Sequence, residues 1–464
     1  MGRRVWPRGP AATIQPVSPT RRGLRPGKPV TGALPVPPSK SLAQRALVLS
    51  SLCSEPAWLG GLTSRSAPGD DILRTRAALE SLGVAVDSPL GSALRIRGLP
   101  PGPGRGWRAA NPVDVGESGT LARLAAAVAG LCGRPGAPIE FQARGSLSRR
   151  SSPALFASLS RAGVRVEHLG ISAGWPLRLW PVGPPSCLEI LAPSSSQEVS
   201  ALLCAAAAWP DALEVHVRGE IPSLPYVAMT TAMLERFSVR VECLGPREAP
   251  RFVVRGPLRP PPGVIPVEPD ASAAAVLLAA ACLSGGEGHV AGLALDSLQG
   301  DVRVVEHLRA FGCAAGLDER GAFAGGAPSR GAELDLGGEP DLAPVLAVVA
   351  AAAALGAGAT SRLSGLGTLQ GKESARIDVL ARGLAALGFS VRAGAASLEV
   401  APGAAPPRGA VLDPRADHRM AFAFALLGLV VDDVDVLDPD CVSKSWPGFW
   451  ADCELAGARV TSQG

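Results

Sequence analysis

The sequence predicts an α/β protein of two similar domains, each built from three repeated units of two helices and short strands. Three observations support this prediction: a sixfold repeat of apolar helical runs, a second series of amphipathic helices between them, and a proline-rich stretch between the third and fourth units. A chain of 464 residues is long enough to form two or three domains with complete cores.

The first series consists of six runs rich in Ala and Leu, and a short polar or Gly/Pro-containing motif precedes each run. They recur at intervals of about 70 to 80 residues, which indicates a repeated structural unit. Each run is apolar nearly all round, so we predict that these helices are buried. The runs start at Ser39, Glu117, Ser195, Asp270, Asp341 and Asp417.

The second series consists of amphipathic helices, each of which keeps a charged face for solvent. Most of them end at Gly, the residue that most easily adopts the left-handed conformation after a helix. After most of these ends the sequence alternates as in a half-buried strand, for example from Val84 to Val86. The helices end at Gly83, Gly163, Ser238, Gly312, Gly388 and Gly457.

Two proline-rich segments are the candidate crossovers between the domains. PLRPPPGVIPVEPD lies between the third and fourth units, and LPVPPSK precedes the first helix. We expect residues 39–267 to form one domain of three units, and residues 11–38 with 268–464 to form the second. Residues 1–10, MGRRVWPRGP, lack the apolar region of a secretory signal and are expected to form a flexible basic tail.

The composition excludes several classes of partner. A net charge of +4 with both signs scattered is too small for a nucleic-acid-binding protein, so we expect small-molecule substrates. The five histidines show no metal-ligand spacing, so no metal is expected. The longest apolar stretch, Leu342 to Thr360, is mostly Ala and Gly with one Pro, which favours a buried helix over a membrane span.

The cysteines indicate the compartment. There are nine, without a C-x-x-C pair, and Cys53, Cys204 and Cys282 lie in apolar runs. This pattern is typical of buried thiols in a reducing compartment rather than of disulfides or a zinc site. We therefore expect a cytoplasmic protein.

Lysine is rare in this chain, because only four of the 45 Lys and Arg residues are lysines. Since Arg carries most of the positive charge in this chain, we interpret the four lysines as marking positions that need a compact ammonium group. Three of the four lie at helix starts, and only Lys28 does not. A cation at a helix N-terminus opposes the helix dipole unless an anion is bound there as well.

The cations at helix starts therefore predict a ligand with several negative charges. They are Lys40, Arg150, Lys372, Arg376, Arg419 and Lys444. The segment QGKES lacks the Walker spacing, and no G-x-G-x-x-G follows a strand, so a nucleotide is not indicated.

Two carboxylates stand among these cations. Asp341 begins the fifth buried helix, and Glu373 is adjacent to Lys372. Acids surrounded by cations have the hydrogen bonds and the pKa tuning that proton transfer requires. The alternatives are that Asp341 is an ordinary N-cap and that Glu373 is a solvated residue at a helix start.

These motifs resemble those of the 5-enolpyruvylshikimate-3-phosphate (EPSP) synthase family, also called 3-phosphoshikimate 1-carboxyvinyltransferases. The resemblance runs from about Thr13 to Val460. It rests on PSKSLAQRAL, GESGTLAR, SSSQEVSALL, SLPYVAMT, EPDAS, QGD, PDLAP, GKESARI, DHRMAFAFALLG and CVSKSWPGF, which occur in the family's order and spacing.

The resemblance implies a fold of two domains, each of three βαβαββ units whose helix N-termini face a cleft, an inside-out α/β barrel. It implies transfer of the enolpyruvyl group from phosphoenolpyruvate to the 5-hydroxyl of shikimate 3-phosphate, with release of phosphate, in aromatic amino-acid biosynthesis. It also implies that no metal or organic cofactor is used and that glyphosate competes with phosphoenolpyruvate. We expect the protein to be a monomer.

Roles carry over by position in the motifs. Asp341 resembles the residue that accepts the 5-hydroxyl proton, Glu373 the one that protonates the methylene carbon, and Lys40 the lysine that contacts both substrates. The implied shikimate 3-phosphate ligands are Lys40, Ser41, Arg45, Ser195, Ser196, Ser223, Tyr226, Asp341, Thr368 and Lys372. The implied phosphoenolpyruvate ligands are Lys40, Gly119, Arg150, Gln197, Arg376, Arg419 and Lys444.

The chain departs from the family pattern at three positions. Glu117 replaces the usual Asn of the N-A-G-T motif and puts an acid near the expected anion. Ala375 replaces an Asp that normally helps to orient its neighbours, among them Arg376. Thr368 stands where the family often has Asn.

Two alternatives to this function remain open. One is the related enolpyruvyl transferase that acts on UDP-N-acetylglucosamine, although that enzyme has Asn where this chain has Ser41. The other is a degenerate paralogue that binds a phosphorylated acid without converting it.

Overall fold

The computed structural model describes residues 20–62, 67–89, 91 and 93–463. The predicted basic tail at residues 1–10 lies outside the described residues, as do residues 11–19 of the second predicted domain.

Within the described residues, twelve α-helices alternate between the two predicted series. Their bounds are α1 (Lys40–Ser50), α2 (Asp70–Ser81), α3 (Gly119–Cys132), α4 (Pro153–Arg161), α5 (Ser196–Ala206), α6 (Pro225–Arg236), α7 (Ala271–Ser284), α8 (Val304–Ala310), α9 (Ala343–Ala357), α10 (Arg376–Ala386), α11 (His418–Leu427) and α12 (Phe449–Leu455).

Short strands lie between the helices. Up to residue 266 they are β1 (Arg21–Arg25), β2 (Gly32–Ala33), β3 (Ala57–Gly60), β4 (Ala85–Asp87), β5 (Ala93–Arg97), β6 (Val113–Asp114), β7 (Ile139–Gln142), β8 (Arg165–His168), β9 (Leu177–Trp180), β10 (Cys187–Leu191), β11 (Leu213–Arg218), β12 (Arg240–Leu244), β13 (Arg251–Arg255) and β14 (Val264–Pro266). The remainder are β15 (Glu287–Ala291), β16 (Ala314–Asp318), β17 (Gly321–Gly325), β18 (Glu333–Asp335), β19 (Ser361–Ser364), β20 (Ser390–Gly394), β21 (Ser397–Ala401), β22 (Val411–Leu412), β23 (Asp435–Leu437) and β24 (Arg459–Gln463).

The described strands form six four-stranded sheets of one topology. The first two strands of each sheet are parallel, and every other neighbouring pair is antiparallel. A parallel pair needs a crossover connection, and first-series helices such as α3, between β6 and β7, supply it. The strand orders are β14-β3-β5-β4, β6-β7-β9-β8, β10-β11-β13-β12, β2-β15-β17-β16, β18-β19-β21-β20 and β22-β23-β1-β24. The predicted α/β fold of βαβαββ units is therefore confirmed.

Three strands complete sheets that lie far from them in sequence. β14 completes the sheet of β3, β4 and β5, β2 joins β15, and β1 lies between β23 and β24. These exchanges bring the two predicted crossover segments side by side. The Ser39 backbone N–H donates to the Glu268 carbonyl over 2.8 Å, and the Asp270 N–H donates to the Pro37 carbonyl over 2.9 Å.

The buried apolar residues form two separate cores. The first core extends from Leu42 to Val267 and contains α1, α3 and α5. The second core takes Leu24, Val30 and Leu34 from the N-terminal segment and then extends from Ala271 to Ala458. Inside the cores α3 packs against α5, and α9 packs against α11.

The first-series helices begin close to the predicted residues. Four predicted residues are N-caps whose side-chain oxygens accept a backbone hydrogen bond: Ser39, Ser195, Asp270 and Asp417. In the second unit the cap is Ser118 rather than Glu117, because the Ser118 hydroxyl accepts from the Leu121 N–H. In the fifth, Asp341 lies in a 3₁₀ turn, Pro340–Leu342, that leads into α9.

The second-series helices end as predicted. All six predicted end residues have a positive φ, including the only one that is not Gly, Ser238, at 65°. The left-handed conformation closes the last helical turn and directs the chain into the following strand.

One helical stretch, Pro340–Ala357, is long and apolar enough by length and composition to cross a membrane. In the structure 72% of this stretch is buried, and it contributes residues such as Leu346 and Val349 to the second core. The prediction of a buried helix is therefore confirmed.

Candidate active site

A cavity of about 450 Å³ lies between the two cores and is lined by residues from both. The first core contributes the starts of α1, α3, α5 and α6, and the second contributes the 3₁₀ turn Gly367–Gly371 and the starts of α10 and α11. Helix N-termini present unpaired N–H groups and a partial positive charge. The fold thus directs several of them at one space.

The structure brings the predicted site residues together in this cavity. Those that line it are Lys40, Ser41, Arg45, Gly119, Arg150, Ser195, Ser196, Gln197, Ser223, Tyr226, Asp341, Thr368, Lys372, Glu373, Arg376 and Arg419. Lys444 does not line the cavity. It lies behind Glu373, with its Nζ 2.8 Å from Glu373 Oε1.

The cavity is strongly positive. Eight Lys and Arg side chains line it, against the carboxylates of Asp71, Asp341 and Glu373. So many cations in a partly buried space repel one another unless anions neutralise them. The lining is therefore suited to a ligand with several negative charges, as the helix starts predicted.

Asp341 is held by cations rather than by backbone N–H groups. Its carboxylate lies 2.8 Å from Arg376 Nη1, 3.2 Å from Arg419 Nη2 and 3.4 Å from Lys372 Nζ. Its side chain caps no helix, so the alternative that Asp341 is an ordinary N-cap is wrong. Burial alone would raise the pKa of this carboxyl, but the cations, Arg419 first, hold it well below its usual value.

Glu373 has a similar environment. Its carboxylate lies 2.8 Å from Lys444 Nζ, 3.0 Å from Arg376 Nη2 and 3.9 Å from Arg150 Nη1. The side chain is only 11% exposed, so the alternative of a solvated helix start is wrong. Burial alone would raise its pKa, but the cations, Lys444 first, hold it well below its usual value.

Arg376 is anchored although Ala375 lacks the carboxylate usual in the family. Its Nε lies 2.7 Å from Asp417 Oδ2 and its Nη2 lies 3.2 Å from Asp417 Oδ1. The contacts with Asp341 and Glu373 occupy the rest of the guanidinium. Burial alone would lower the pKa of Arg376, but these carboxylates raise it above its usual value.

Glu117 turns away from the cavity. Its Oε2 accepts hydrogen bonds from the Ser146 N–H at 3.2 Å and the Ser146 hydroxyl at 3.1 Å. Glu117 is not among the lining residues. The acid at this position therefore does not stand against a ligand.

Arg45 and Tyr226 form one wall. Arg45 is fully buried and donates to Thr230 Oγ1 at 2.8 Å and to the Ser41 carbonyl at 2.9 Å. The Tyr226 hydroxyl lies 3.5 Å from a carboxylate oxygen of Asp301 and of Asp341, so the phenol bridges the two cores. Burial, with these carboxylates, raises the Tyr226 pKa well above its usual value, so the phenol keeps its proton as a donor.

Ten lining residues were not predicted as site residues, and the charged or titratable ones among them are Asp71, Arg123, Arg149 and His418. Asp71 lies 3.2 Å from Lys40 Nζ, but an acid in the first turn of α2 gives no distinguishing signal in the sequence. Arg123 and His418 lie inside motifs that were already recognised, GESGTLAR and DHRMAFAFALLG. A charged or titratable residue at the start of an apolar run was the available signal.

His418 is buried and neutral. Only 1% of it is exposed, and neither ring nitrogen has a hydrogen-bond partner among the described residues. Burial, with the nearby cations of Lys40 and Lys444, holds the pKa of His418 well below its usual value. The ring can therefore donate or accept one hydrogen bond from a ligand without adding charge.

Within the described ranges, no group of three or more His, Cys, Asp or Glu side chains is arranged to hold a metal ion.

A family model described as EPSP synthase (3-phosphoshikimate 1-carboxyvinyltransferase) matches residues 24–453. A 3-phosphoshikimate 1-carboxyvinyltransferase of Methanospirillum hungatei is 31% identical and covers 91% of this chain and 95% of its own. One of Methanopyrus kandleri is 36% identical and covers 93% of this chain and 97% of its own.

Solved structures share the fold. An EPSP synthase of Acinetobacter baumannii superposes with a TM-score of 0.76 at 22% identity, over 96% of this chain and 100% of that one. The enolpyruvyl transferase NikO of Streptomyces tendae superposes with a TM-score of 0.67 at 16% identity, over 96% of this chain and 99% of that one.

Proposed function

The chain belongs to the EPSP synthase family, and we propose that it transfers the enolpyruvyl group of phosphoenolpyruvate to the 5-hydroxyl of shikimate 3-phosphate. The products are 5-enolpyruvylshikimate 3-phosphate and phosphate. One observation carries the proposal: Asp341 and Glu373 face the same cavity, each held between cations in a lining of eight Lys and Arg side chains. Both substrates are phosphorylated carboxylates, so they match this lining in charge.

On the acceptor side, Asp341 is the proposed base for the 5-hydroxyl. In the free protein its cations keep it ionised, so it is ready to accept a hydrogen bond from the hydroxyl. Bound phosphate and carboxylate groups share Lys372, Arg376 and Arg419 with it. This sharing raises the Asp341 pKa toward its usual range and makes the carboxylate a better proton acceptor.

The proposed shikimate 3-phosphate ligands include that carboxylate. The set is Lys40, Ser41, Arg45, Ser195, Ser196, Ser223, Tyr226, Asp341, Thr368 and Lys372, all of which line the cavity. Arg45 is fixed by Thr230 and the Ser41 carbonyl before a ligand binds, which reduces the ordering cost of binding.

On the donor side, Glu373 is the proposed acid for the methylene carbon. It has to carry a proton to act, and the anionic substrates favour protonation because they compete for Lys444, Arg376 and Arg150. The proposed phosphoenolpyruvate ligands that line the cavity are Lys40, Gly119, Arg150, Gln197, Arg376 and Arg419. Lys444 is proposed as the seventh, and it lies behind Glu373 rather than in the lining.

The reaction proceeds by addition and then elimination through a tetrahedral intermediate. Protonation of the methylene carbon and attack by the 5-hydroxyl oxygen form the intermediate, and loss of phosphate with a methyl proton restores the double bond. Positioning, neutralisation of charge and proton transfer suffice for these steps. Side chains of the cavity supply all three.

We also propose two domains, residues 39–267 and residues 11–38 with 268–464, in a cytoplasmic monomer. The two separate cores and the exchange of strands between distant segments support the division. The burial of Cys53, Cys204 and Cys282 as free thiols supports a reducing compartment.

The test is a steady-state assay of phosphate release with both substrates, with each substrate omitted in turn as the control. We expect release only when shikimate 3-phosphate and phosphoenolpyruvate are both present. Release with UDP-N-acetylglucosamine in place of shikimate 3-phosphate would establish the related transferase instead. Binding of shikimate 3-phosphate without any release would establish the degenerate paralogue.

A further inference from the structure

Arg123 is a buried cation of the cavity to which the proposed reaction gives no role. It lies in the first turns of α3, is 3% exposed and lines the cavity beside Gly119 and Arg150. Burial, with the charge of Arg150, lowers its pKa to about 10, so it is charged at neutral pH. Two guanidinium groups this close repel each other, and the carboxylates of Glu198 and Glu373 offset part of that repulsion.

Its hydrogen bonds join three segments of the cavity wall. Arg123 Nη1 donates to the Gly119 carbonyl and to Gln197 Oε1, both at 3.0 Å, and Nη2 donates to the Ser151 carbonyl at 3.4 Å. The side chain therefore links the start of α3, the segment before α4 and the start of α5. Its remaining Nε atom is buried without a partner among the described residues, so it does not face the cavity.

The contact with Gln197 determines how that amide is oriented. A guanidinium has only donors, so the amide atom that faces Arg123 is the oxygen. The NH₂ group of Gln197 therefore points away from Arg123, and the residue lines the cavity. Within the part of the chain that the structure describes, no acceptor bonds to that NH₂ group.

The backbone of Gln197 is fixed as well. Its N–H donates to the Ser195 hydroxyl at 3.2 Å, in the capping box that begins α5. With both the backbone and the amide oxygen held, the two N–H bonds of the amide are directed before a ligand arrives. A donor directed in advance favours an anionic oxygen over a group that itself has to donate.

We propose that Arg123 is a positioning residue of the reaction, which holds Gln197 Oε1 so that the Gln197 NH₂ group donates to phosphoenolpyruvate bound beside Gly119 and Arg150. The inference rests on the proposed function, since it takes phosphoenolpyruvate as the ligand bound beside Gly119 and Arg150. It predicts that Arg123 affects phosphoenolpyruvate through Gln197 and leaves shikimate 3-phosphate binding unchanged.

The test is a double-mutant cycle of Arg123→Met and Gln197→Ala. We expect Arg123→Met to raise the KM for phosphoenolpyruvate by about 10- to 100-fold in the parent, the effect of losing a charge-assisted hydrogen bond. In the Gln197→Ala background the same change should raise KM by less than about threefold, because the amide is already absent. The shikimate 3-phosphate Kd should stay within about twofold throughout.

A second substitution covers the case in which Arg123→Met does not fold. Arg123→Lys keeps the charge and one donor, and we expect it to raise the phosphoenolpyruvate KM by about threefold to tenfold with Gln197 and not at all with Gln197→Ala. Equal effects of either Arg123 variant in both backgrounds would show a role in packing alone and overturn the proposal.

Binding without turnover separates this proposal from the proposed function. The Kd of phosphoenolpyruvate for the free enzyme, measured by calorimetry, does not depend on catalysis. A protein that binds phosphoenolpyruvate with the predicted coupling of Arg123 and Gln197 but releases no phosphate would contradict the function and support the positioning role. Release of phosphate without coupling between Arg123 and Gln197 would support the function and overturn the positioning role.

Discussion

Lys444 Nζ lies 2.8 Å from Glu373 Oε1, and each side chain is only 11% exposed. The lysine comes from the 3₁₀ turn Pro439–Lys444 and stands behind the acid, outside the cavity lining. Burial alone would lower the pKa of Lys444, but Glu373 first, and then Asp71, raise it above its usual value. The proposed proton donor is therefore held as a carboxylate until a substrate anion competes for its cations.

Glu373→Gln should abolish most turnover and leave binding largely intact. The amide cannot deliver a proton to the methylene carbon, and a general acid contributes about 10²- to 10⁴-fold to a rate. We expect kcat to fall by that factor, while the Kd of shikimate 3-phosphate changes by less than about threefold. Phosphate release and calorimetry measure the two quantities. Glu306→Gln, on the exposed side of α8, is the control. A Glu373→Gln variant with the parental kcat would contradict the role of Glu373 as proton donor.

Gly119→Ala should weaken phosphoenolpyruvate binding. A Cβ at this position would lie 2.8 Å from Arg123 Nη1 and 3.0 Å from Arg150 Nη1, so both guanidinium groups have to move. We expect the phosphoenolpyruvate KM to rise about tenfold and inhibition by glyphosate, the competitor implied by the family resemblance, to weaken in parallel.

The matched control for that change is Gly356→Ala. A Cβ there meets nothing within 4 Å, and the residue lies in α9 away from the cavity. Its KM for phosphoenolpyruvate should equal that of the parent. An unchanged KM in Gly119→Ala would show that the two arginines adjust without loss.

The local signals of the fold were readable in the sequence, and the long-range pairings were not. Ser39 and Asp417 predict helix starts because short polar side chains cap N-termini, and Gly83 predicts an end because its backbone tolerates a positive φ. The predicted domain bounds already grouped residues 11–38 with 268–464, but the strand partners of β1, β2 and β14 depend on pairing across hundreds of residues. No pattern within a window of 10 to 20 residues carries that information.

The same distinction applies to the site. Asp341 and Glu373 were predicted because acids stood beside cations at helix starts. The contact of Asp417 with Arg376 depends on how α10 and α11 pack, so the sequence could not show that Arg376 is anchored despite Ala375. Asp417 was predicted only as a helix start, although its carboxylate both caps α11 and binds that guanidinium.

Asp417→Ala should destabilise the protein as well as the site. Asp417 is fully buried, and its removal leaves the Arg376 guanidinium with less compensation and α11 without its N-cap. Breaking one partner of a buried ion pair costs about 3 to 5 kcal/mol. We expect the free energy of unfolding, measured by urea denaturation, to fall by that amount. Asp413→Asn, an exposed pair with Arg415, should change it by less than about 0.5 kcal/mol, and equal losses in the two variants would refute the prediction.

Asp301 should make stability fall as the pH rises. Burial raises its pKa from 3.8 to about 6, with Asp341 and Asp270 adding to the shift and Arg419 and the Ser272 hydroxyl opposing it. Between pH 3.8 and about pH 6 the folded protein binds more protons than the unfolded chain. The stability that protonated Asp301 contributes is therefore fully present below about pH 4 and is lost as the pH passes 6.

Asp301→Asn removes that titration. Relative to this variant, the free energy of unfolding of the parent should fall by about 3 kcal/mol between pH 4 and pH 7 and stay level above pH 7. Because the two proteins share all their other carboxylates, the contribution of those groups to the free energy of unfolding cancels when the proteins are compared at the same pH. Denaturation curves at several pH values give the difference, and a difference that does not vary with pH would contradict the raised pKa.

Lys→Arg substitution tests whether the rare lysines are kept for their shape. Lys40, Lys372 and Lys444 each contact a carboxylate within 3.4 Å, and their side chains are 17%, 22% and 11% exposed. A guanidinium is planar and larger than an ammonium group, so it keeps the charge but displaces its neighbours in a tightly packed site.

We therefore expect each of these three Lys→Arg variants to lower kcat/KM by about 10- to 100-fold, as misplacement by an ångström does in other active sites. Lys28 is exposed and is not among the residues that line the cavity, so Lys28→Arg is the matched control and should keep the parental kcat/KM. Full activity in all four variants would mean that only positive charge is required at these positions. Loss confined to Lys40, Lys372 and Lys444 would instead show that the scarcity of lysine in this sequence marks the places where the compact ammonium group itself is needed.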